Sequence, residues 1–409
     1  MKEKLKLAVV GLKRGGDLIR GEFAKFDDVE IVGICDLKQE LIDKSFEDIT
    51  SNGRKAPITT TNYKEILQIP DLDAIIVSTT WDMHFPIAIE AMKVGIYVGL
   101  EVGGAYTMSE CEELVKVAEQ TGHHFMFLEN CCYSRREMMA LNMAKKGMFG
   151  EIIHCEGAYA HDLRDSITEK DYRINDYLYR NCENYPTHEI GPIAKLLHIN
   201  KGNRFLSLVS VASKASGLNA YAKKTLGADH KYATAKFAQG DVVTTILKCA
   251  NGETVTITLD TSLPCAYSRK FTVCGTEGRY IEDNDSVYID GVHNEWEWLK
   301  WHNKWGNAAE YAEEYDHDIW KEHRKHKDIL GYGHGGTDWV SCRAFVETAK
   351  RDIVAPIDVY DAAVMMCISV LSEQSISLGG QPVTFPDFTR GEWLHRKPEN
   401  TDFEYTLDF

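Results

Sequence analysis

The start of the chain, where an apolar strand runs into a glycine-rich turn, constrains the fold more than any other segment. Residues 5–10 read LKLAVV, an apolar run typical of a strand buried on both faces of a parallel sheet. The turn GLKRGG (11–16) follows, then a helical stretch ending near Phe26, then a second strand, VEIVGICD (29–36). Such strand–helix–strand units make right-handed parallel crossovers. The pattern therefore predicts an α/β domain with a doubly wound parallel sheet.

The same alternation continues to residue 128. Three further apolar strands are predicted at 74–79, 96–100 and 124–130, with helices over 85–94 and 109–121. We therefore predict a Rossmann domain over residues 1–128.

The pattern changes after residue 128. Helix 134–147 precedes a strand over 151–161, and Asn251-Gly252 is a strong hairpin signal between two alternating segments. A further strand is expected over 270–278. Residues 283–335 show little periodicity, and we expect them to form a long connection between the strands and the final helices. Residues 129–409 are therefore predicted to form a substrate-binding α+β domain on a mostly antiparallel open sheet. Its C-terminal helices are expected to pack back on the first domain.

The first turn carries the features of a dinucleotide site. Gly11 and Gly16 match the first and third glycines of the fingerprint, but Lys13 occupies the second place. The start of the following helix can hold a phosphate, and Lys13 and Arg14 would add charge there. Asp36 ends the second strand, where a carboxylate accepts hydrogen bonds from the adenosine ribose and repels a 2′-phosphate. NAD is therefore predicted in preference to NADP.

Composition excludes several other classes of protein. A net charge of −16 argues against nucleic-acid binding, and no apolar run is long enough to cross a membrane. The N-terminus lacks the features of an export signal, so a cytoplasmic location is expected. The 11 cysteines are scattered and read as reduced thiols, and no metal site is expected. His334 and Asp338 lie four apart, and we expect a structural role for them.

Two motifs in the N-terminal part resemble the Gfo/Idh/MocA superfamily of sugar-handling oxidoreductases. Thr79-Thr80-Trp81-Asp82-Met83-His84 stands where that superfamily usually has T-P-N-x-x-H, and Glu101-Val102-Gly103 stands where it has E-K-P. In its dehydrogenases the lysine assists proton transfer at the oxidised hydroxyl. Its absence here argues against a simple alcohol dehydrogenase.

Seven segments in order resemble glycoside hydrolase family 109, the NAD-dependent α-N-acetylgalactosaminidases built on that scaffold. They are LENCCY (128–133), GAYAHDLR (157–164), NYPTHEIGP (184–192), YSR (267–269), GHGGTDW (333–339), DVYDAA (358–363) and FPDFTRGEW (385–393). The family tolerates a residue other than lysine at position 102. Glu189 departs from it, because glycine usually follows the motif histidine. The resemblance adds Thr79, Trp81, His84, Glu101 and Asn130 to the residues expected to bind the cofactor.

Three residues of the second part are the catalytic candidates. Tyr159 and His161 are two apart on a predicted strand, so both side chains leave one face. They are either a general-base pair or a packed tyrosine beside a surface histidine, and the resemblance favours the first. His188 lies near a helix start, which favours the neutral imidazole that accepts a proton. By resemblance, the substrate contacts are Glu129, Arg173, Tyr185, Thr187 and Tyr267.

The resemblance implies glycoside cleavage through transient oxidation at C3 of an N-acetylhexosaminide. Elimination across C1–C2, water addition and re-reduction would follow, with His188 as the C3 base and Tyr159, supported by His161, as the C2 base. NAD would then be tightly bound and recycled.

Two other functions remain open at this point. One is an NAD-dependent sugar or inositol dehydrogenase that releases NADH, and the other is a non-catalytic NAD-binding protein. The expected partners are a small carbohydrate substrate and other copies of the chain in a homo-oligomer, but no nucleic acid or membrane.

Overall fold

The computed structural model describes residues 2–51, 53–122, 124–293, 305–323 and 333–409. Its residue contacts divide the chain into two compact units. The first unit comprises Met1–Arg135, Asp318–Val364 and Pro398–Phe409, and the second comprises Arg136–His317 and Met365–Lys397. The domain division expected at residue 128 stays a prediction.

Strands and helices alternate along the first unit, whereas the second unit contains a run of five strands with no α-helix between them. The strands are β1 (Leu5–Val10), β2 (Val29–Cys35), β3 (Ile58–Thr60), β4 (Ala74–Val77), β5 (Tyr97–Leu100), β6 (Phe125–Phe127), β7 (Ile152–Ala160), β8 (Phe205–Ala212), β9 (Val242–Cys249), β10 (Thr254–Asp260), β11 (Thr272–Gly275), β12 (Gly278–Ile281), β13 (Ser286–Ile289) and β14 (Val383–Thr384). The helices are α1 (Arg14–Gly21), α2 (Gln39–Thr50), α3 (Tyr63–Ile66), α4 (Trp81–Lys93), α5 (Met108–Thr121), α6 (Arg135–Lys145), α7 (Arg164–Glu169), α8 (Asp171–Tyr179), α9 (Thr187–Leu196), α10 (Gly217–Thr225), α11 (Ala308–Tyr315), α12 (Asp318–His323), α13 (Thr337–Arg351) and α14 (Val359–Ser377).

The first unit contains a parallel sheet with the strand order β3-β2-β1-β4-β5-β6. Each neighbouring pair is parallel, and the order reverses between β1 and β4. The residues of β4 and β5 are all buried, as their uninterrupted apolar sequences require. The predicted doubly wound Rossmann sheet is confirmed. In such sheets ligands bind at the carboxyl ends of the strands, at the point where the order reverses.

The second unit contains an eight-stranded sheet with the order β13-β12-β11-β7-β10-β9-β8-β14. Only the β7–β10 pairing is parallel, so the predicted mostly antiparallel sheet is confirmed. The Asn251-Gly252 turn joins β9 to β10 as expected, with Gly252 at φ 111°. Alternate residues of β10 (Val255, Ile257 and Leu259) are buried on one face.

Helix α9 lies directly on the buried face of this sheet. An added Cβ at Gly157 in β7 would overlap the backbone carbonyl oxygen of Glu189, so only glycine allows this approach. The close packing brings the first turn of α9 against the middle of β7.

The long connection predicted over 283–335 lies partly outside the described residues. Its described parts contain β13, α11 and α12, and Asn307 bonds to both backbone groups of Val287. Across the described residues, no helix combines the length and apolar character needed to span a bilayer.

Candidate active site

The predicted nucleotide turn lies at the carboxyl end of β1. Gly11 has φ +90°, and an added Cβ would overlap the backbone carbonyl of Ser78, which follows β4. The N–H of Leu12 donates to the Asp36 carboxylate at 2.7 Å, and the N–H of Lys38 donates to its other oxygen at 2.9 Å. The turn and the acid that ends β2 are thereby held together at the switch point of the sheet.

Two glycines allow helix α1 to start close to strand β1 and to helix α2. An added Cβ at Gly15 would lie 2.6 Å from a methyl carbon of Val9 in β1, and one at Gly16 would lie 3.0 Å from Ser45 Oγ. Gly16 was predicted to serve helix packing. Gly15 was not identified from the sequence, although the Gly-Gly pair at a helix start is a usable signal for close packing.

Arg14 lies at the start of α1 and binds two carboxylates of the first unit. Its guanidinium donates to Asp338 at 2.8 and 3.0 Å and to Glu101 at 3.1 Å. Burial lowers the pKa of Arg14, but the two carboxylates outweigh it and the pKa lies above its usual value. The charge of Arg14 therefore neutralises this acidic group, and its expected contact with a phosphate stays a prediction.

Asp338, at the start of α13, also binds two other side chains. It accepts hydrogen bonds from Asn130 at 2.7 Å and from His334 at 2.8 Å. Burial acts to raise its pKa, yet the bonds from His334 and Arg14 hold that pKa well below its usual value. Asp338 is thus an ionised structural anchor, which is the kind of role expected for it and for His334.

The segment after β4 is ordered by its own backbone. The His84 ring lies 3.1 Å from the carbonyl of Thr79, and burial lowers the pKa of His84 to about 4, so the ring is neutral. Gly103 makes room for the Trp81 indole, since an added Cβ would lie 2.5 Å from that ring. This explains why a glycine stands here in place of the usual proline after Glu101-Val102.

Among the residues that the structure describes, two buried polar atoms at the carboxyl edge of the first sheet have no hydrogen-bond partner. They are the Oγ of Ser78 and the Oδ1 of Asn130, which follow β4 and β6. Buried polar atoms are normally satisfied, so this edge retains capacity to bind a polar ligand. Glu129 lies beside Asn130, with its carboxylate accepting from the N–H of Cys131 at 3.0 Å.

The catalytic candidates of the second unit form one aromatic cluster centred on Tyr159. The Tyr159 ring stacks on Tyr185, with centroids 4.7 Å apart and planes 17° apart. His188 contacts the same ring at 5.3 Å between centroids, and His161 contacts it at 5.7 Å. The Tyr159 hydroxyl lies 3.4 Å from Nδ1 of His161. A phenol in contact with two imidazoles is an arrangement suited to proton transfer.

The local fold explains why these rings meet. Tyr159 and His161 come from the end of β7, and Tyr159 pairs in register with Leu259 of β10. His188 is the second residue of α9, whose first turn rests on Gly157 two residues before Tyr159. Tyr185 precedes that helix, and Pro186 directs the chain into it.

The predicted substrate contacts of the second unit surround this cluster. Arg173 lies over the Tyr185 ring, with the guanidinium carbon 5.6 Å from its centroid. Tyr267 contacts His161 at 5.1 Å between centroids and is 53% exposed. Thr187 is fully buried, and its hydroxyl has no hydrogen-bond partner among the described residues. Glu129 belongs to the first unit.

One residue near this cluster was not identified from the sequence. Glu183 is fully buried and lies beside the buried carboxyl group of Glu189. The sequence signal that could have identified it is the presence of one glutamate on either side of the Tyr-Pro-Thr-His segment, at positions 183 and 189.

Comparisons with known proteins identify the families that the two parts of the chain match. Residues 5–128 match the family model described as "Oxidoreductase family, NAD-binding Rossmann fold". Residues 133–395 match the model "Glycosyl hydrolase 109, C-terminal domain". Among solved structures, levoglucosan dehydrogenase in complex with NADH and L-sorbose aligns with a TM-score of 0.69 at 17% identity, covering 94% of this chain and 100% of its own. That likeness shows the fold alone.

Two curated relatives are similar along most of their length. The α-N-acetylgalactosaminidase of Tannerella forsythia is 39% identical over 397 residues, which are 90% of this chain and 83% of that protein. A glycosyl hydrolase family 109 protein of Stenotrophomonas maltophilia is 38% identical, with coverage of 97% and 91%. The resemblance inferred from seven segments is thereby confirmed. The chain belongs to glycosyl hydrolase family 109, and its residues 5–128 form an NAD-binding Rossmann domain.

Proposed function

We propose that the chain is an α-N-acetylgalactosaminidase that holds NAD tightly and reuses it in every turnover. The observation that carries this proposal is the contact of the Tyr159 ring with both His161 and His188, which puts three proton-transfer groups in one cluster. The name of the Tannerella forsythia relative supports the substrate class. Because no lysine follows Glu101, we assign the proton transfers to these three residues.

The residues of the first unit fit NAD. Gly11 gives the backbone a close approach that a side chain would block, and Asp36 faces the turn. Ser78 and Asn130 each keep a buried polar atom without a hydrogen-bond partner in the described part of the chain. We propose that Gly11, Lys13, Gly16, Asp36, Thr79, Trp81, His84, Glu101 and Asn130 hold it, with Arg14 ordering the turn. When bound, NAD supplies the reversible oxidation of a sugar hydroxyl.

His188 is the proposed base at the C3 hydroxyl. Its ring contacts those of Tyr159 and Tyr185, with centroids 5.3 and 5.0 Å apart, and these contacts restrict its orientation. It would accept the hydroxyl proton as C3 becomes a ketone and return that proton when the hydroxyl is restored.

Tyr159 is the proposed base at C2. A C3 ketone makes the hydrogen on C2 acidic, and the Tyr159 oxygen would remove it with His161 taking up the phenolic proton. The electron pair of the broken C2–H bond forms the C1–C2 double bond while the C1–O bond breaks, and the aglycone oxygen would take up the proton that His161 received. Water then adds across the double bond, and the ordinary pair of glycosidase carboxylates is not required.

The remaining side chains are proposed to bind the sugar. Arg173, Tyr185 and Tyr267 offer donors and ring faces beside the cluster. Thr187 offers a buried hydroxyl that has no hydrogen-bond partner within the described ranges. Glu129 is kept as a candidate contact. Such polar groups suit the hydroxyls and the acetamido group of an N-acetylhexosamine.

The glycosidase and dehydrogenase functions give opposite results in one assay. With p-nitrophenyl N-acetyl-α-galactosaminide, we expect continuous release of nitrophenolate without accumulation of NADH, and weaker activity with the β-anomer. Both products can be followed by absorbance in one cuvette. Stoichiometric NADH from a free sugar, with no nitrophenolate from the glycoside, would favour a net sugar dehydrogenase instead.

We also propose that the chain forms a homo-oligomer through the outward face of the eight-stranded sheet. Ile246 in β9 is 51% exposed there and pairs in register with Val209, and Val211 on the same face is 55% exposed. A second copy would cover these apolar side chains by two-fold symmetry. Light scattering should give a multiple of the 46.3 kDa chain mass.

A variant separates this interface from general surface effects. Ile246→Glu should lower the mass towards that of one chain, whereas Leu378→Glu, exposed at the end of α14, should leave it unchanged. A wild-type protein of one chain's mass at micromolar concentration would rule out the oligomer.

A further inference from the structure

Two buried carboxyl groups flank the segment that carries Tyr185 and His188. Glu183 precedes this segment and is 0% exposed, and Glu189 follows it in the first turn of α9 and is 1% exposed. The two carboxyl groups lie within hydrogen-bonding reach of each other. Residues 183–189 therefore form a short loop whose two ends meet through side chains.

The pair lacks the partners that normally accompany buried acids. Among the described residues, none of the four carboxyl oxygens receives a hydrogen bond of normal geometry. Two ionised carboxylates in contact would repel each other in a site that excludes water. A proton on one of them supplies the missing donor, because a protonated carboxyl group donates to a neighbouring carboxylate.

The surroundings of the pair also favour a retained proton. Burial raises the pKa of Glu183 to about 8 and raises that of Glu189 well above its usual value, the latter with the added repulsion of Glu183. Within the described chain, His188 of α9, Tyr177 of α8 and Cys182 interact electrostatically with the pair. The backbone of Tyr185, Thr258 and Leu259 acts to lower the pKa of the pair, against the larger effect of burial. Gly157 of β7 and the hydroxyl of Ser372 in α14 contact the backbone of the two residues.

Both ends of the loop are anchored to the unit. The backbone N–H of Glu183 donates to the hydroxyl of Ser372 in α14 at 2.8 Å, and the Glu189 backbone rests on Gly157 of β7. Joining the two carboxyl groups therefore ties the start of α9 to the chain that leads into it. His188, next to Glu189, contacts Tyr159 of the same β7 strand.

We propose that Glu183 and Glu189 share one proton and act as positioning residues, closing a clip that holds His188 and Tyr185 against Tyr159. This proposal rests on the proposed function in one respect, because that function makes these aromatic residues the groups that must be positioned. Loss of the shared proton leaves two like charges in a dry site, so the clip opens and the proton-transfer geometry is lost.

The shared proton can be measured without a substrate. In the full-length protein at neutral pH, we expect an infrared carbonyl band of a protonated carboxyl group that Glu183→Gln weakens and Glu156→Gln, at an exposed acid on the outward face of β7, leaves unchanged. Because the folded pKa lies above the unfolded value near 4.5, the pair stabilises the fold fully below that value and progressively less as the pH rises to about 8. Thermal melting should show this decline in the wild type and less of it in Glu183→Gln.

The positioning role is tested by two substitutions at Glu183. Glutamine keeps a donor to Glu189, so kcat should stay within roughly threefold of wild type and no longer fall as the pair titrates. Glu183→Ala removes the clip, and kcat should fall by about a hundredfold with little change in KM, since small misplacements of catalytic groups have effects of that size.

Either of two results would overturn the proposal. One is an infrared spectrum and a pH dependence of melting that are the same in wild type and Glu183→Gln. The other is a Glu183→Ala enzyme that folds, melts normally and retains kcat. The infrared and melting measurements need no glycoside, so they judge the pair independently of the proposed glycosidase activity.

Discussion

Tyr159→Phe is expected to abolish glycoside cleavage while the protein still binds NAD. The substitution removes only the phenolic oxygen beside His161, and the stacked ring on Tyr185 remains. Loss of a general base commonly lowers rates by about 10²–10⁴-fold. Nucleotide binding should persist, because every residue proposed to hold NAD is unchanged. Nitrophenolate release and NADH fluorescence in one preparation measure both quantities.

A matched variant and an isotope experiment sharpen this prediction. Tyr232→Phe, at a buried tyrosine in the cluster formed by α7, α8 and α10, should leave cleavage at the wild-type rate. In deuterated water the wild type should place deuterium at C2 of the sugar, and Tyr159→Phe should not. Near-normal cleavage by Tyr159→Phe would show that the base is assigned wrongly. A wild-type product without deuterium at C2 would count against the elimination step.

Gly11→Ala is expected to destroy nucleotide binding through the backbone alone. An alanine at φ +90° is strained, and its Cβ would overlap the Ser78 carbonyl, which belongs to the chain directly after β4. In the variant the turn must therefore move away from Asp36, whose carboxylate accepts a hydrogen bond from the Leu12 N–H in the wild type. We expect NADH affinity to fall about a hundredfold or more, equivalent to about 3 kcal/mol.

Gly95→Ala separates strain from steric overlap. Gly95 has a similar φ of +79° in the same unit, but nothing lies within 4 Å of an added Cβ. It should lower stability by about 1 kcal/mol through backbone strain and leave NADH affinity unchanged. If both variants bound NADH as the wild type does, the turn at Gly11 would not be the nucleotide site. Fluorescence titration and thermal melting distinguish the two effects.

The parallel sheet could be predicted because its signals are local. Strands such as β1 and β4 are continuous apolar segments followed by turns, and the Asn251-Gly252 hairpin has its own turn chemistry. Strand β8 and helix α10 were not anticipated. Serines interrupt the apolar residues of β8, and α10 begins at Gly217, so neither element shows a regular hydrophobic periodicity.

The catalytic cluster was predicted from motifs and the cofactor site from a turn and an acid, but their physical connections were not. Arg14 meets Asp338 across 324 positions of sequence, and Glu183 meets Glu189 because a loop closes. Contacts of this kind depend on packing that no period or spacing encodes. The cytoplasmic location stays a prediction, since nothing in the fold bears on it.

The way the first unit is assembled from the chain bears on how the protein is made. Its six strands all lie within the first 135 residues, yet α13 and the terminal segment 398–409 belong to the same unit. The N–H of Phe127 in β6 donates to the carbonyl of Ile357, and Arg14 binds Asp338. A nascent chain that has emerged only to residue 135 therefore has its whole sheet but neither of these partners. The nucleotide-binding unit therefore reaches its final packing only after residues 318–364 and 398–409 have been synthesised, which is later than strands β7–β13 of the second sheet.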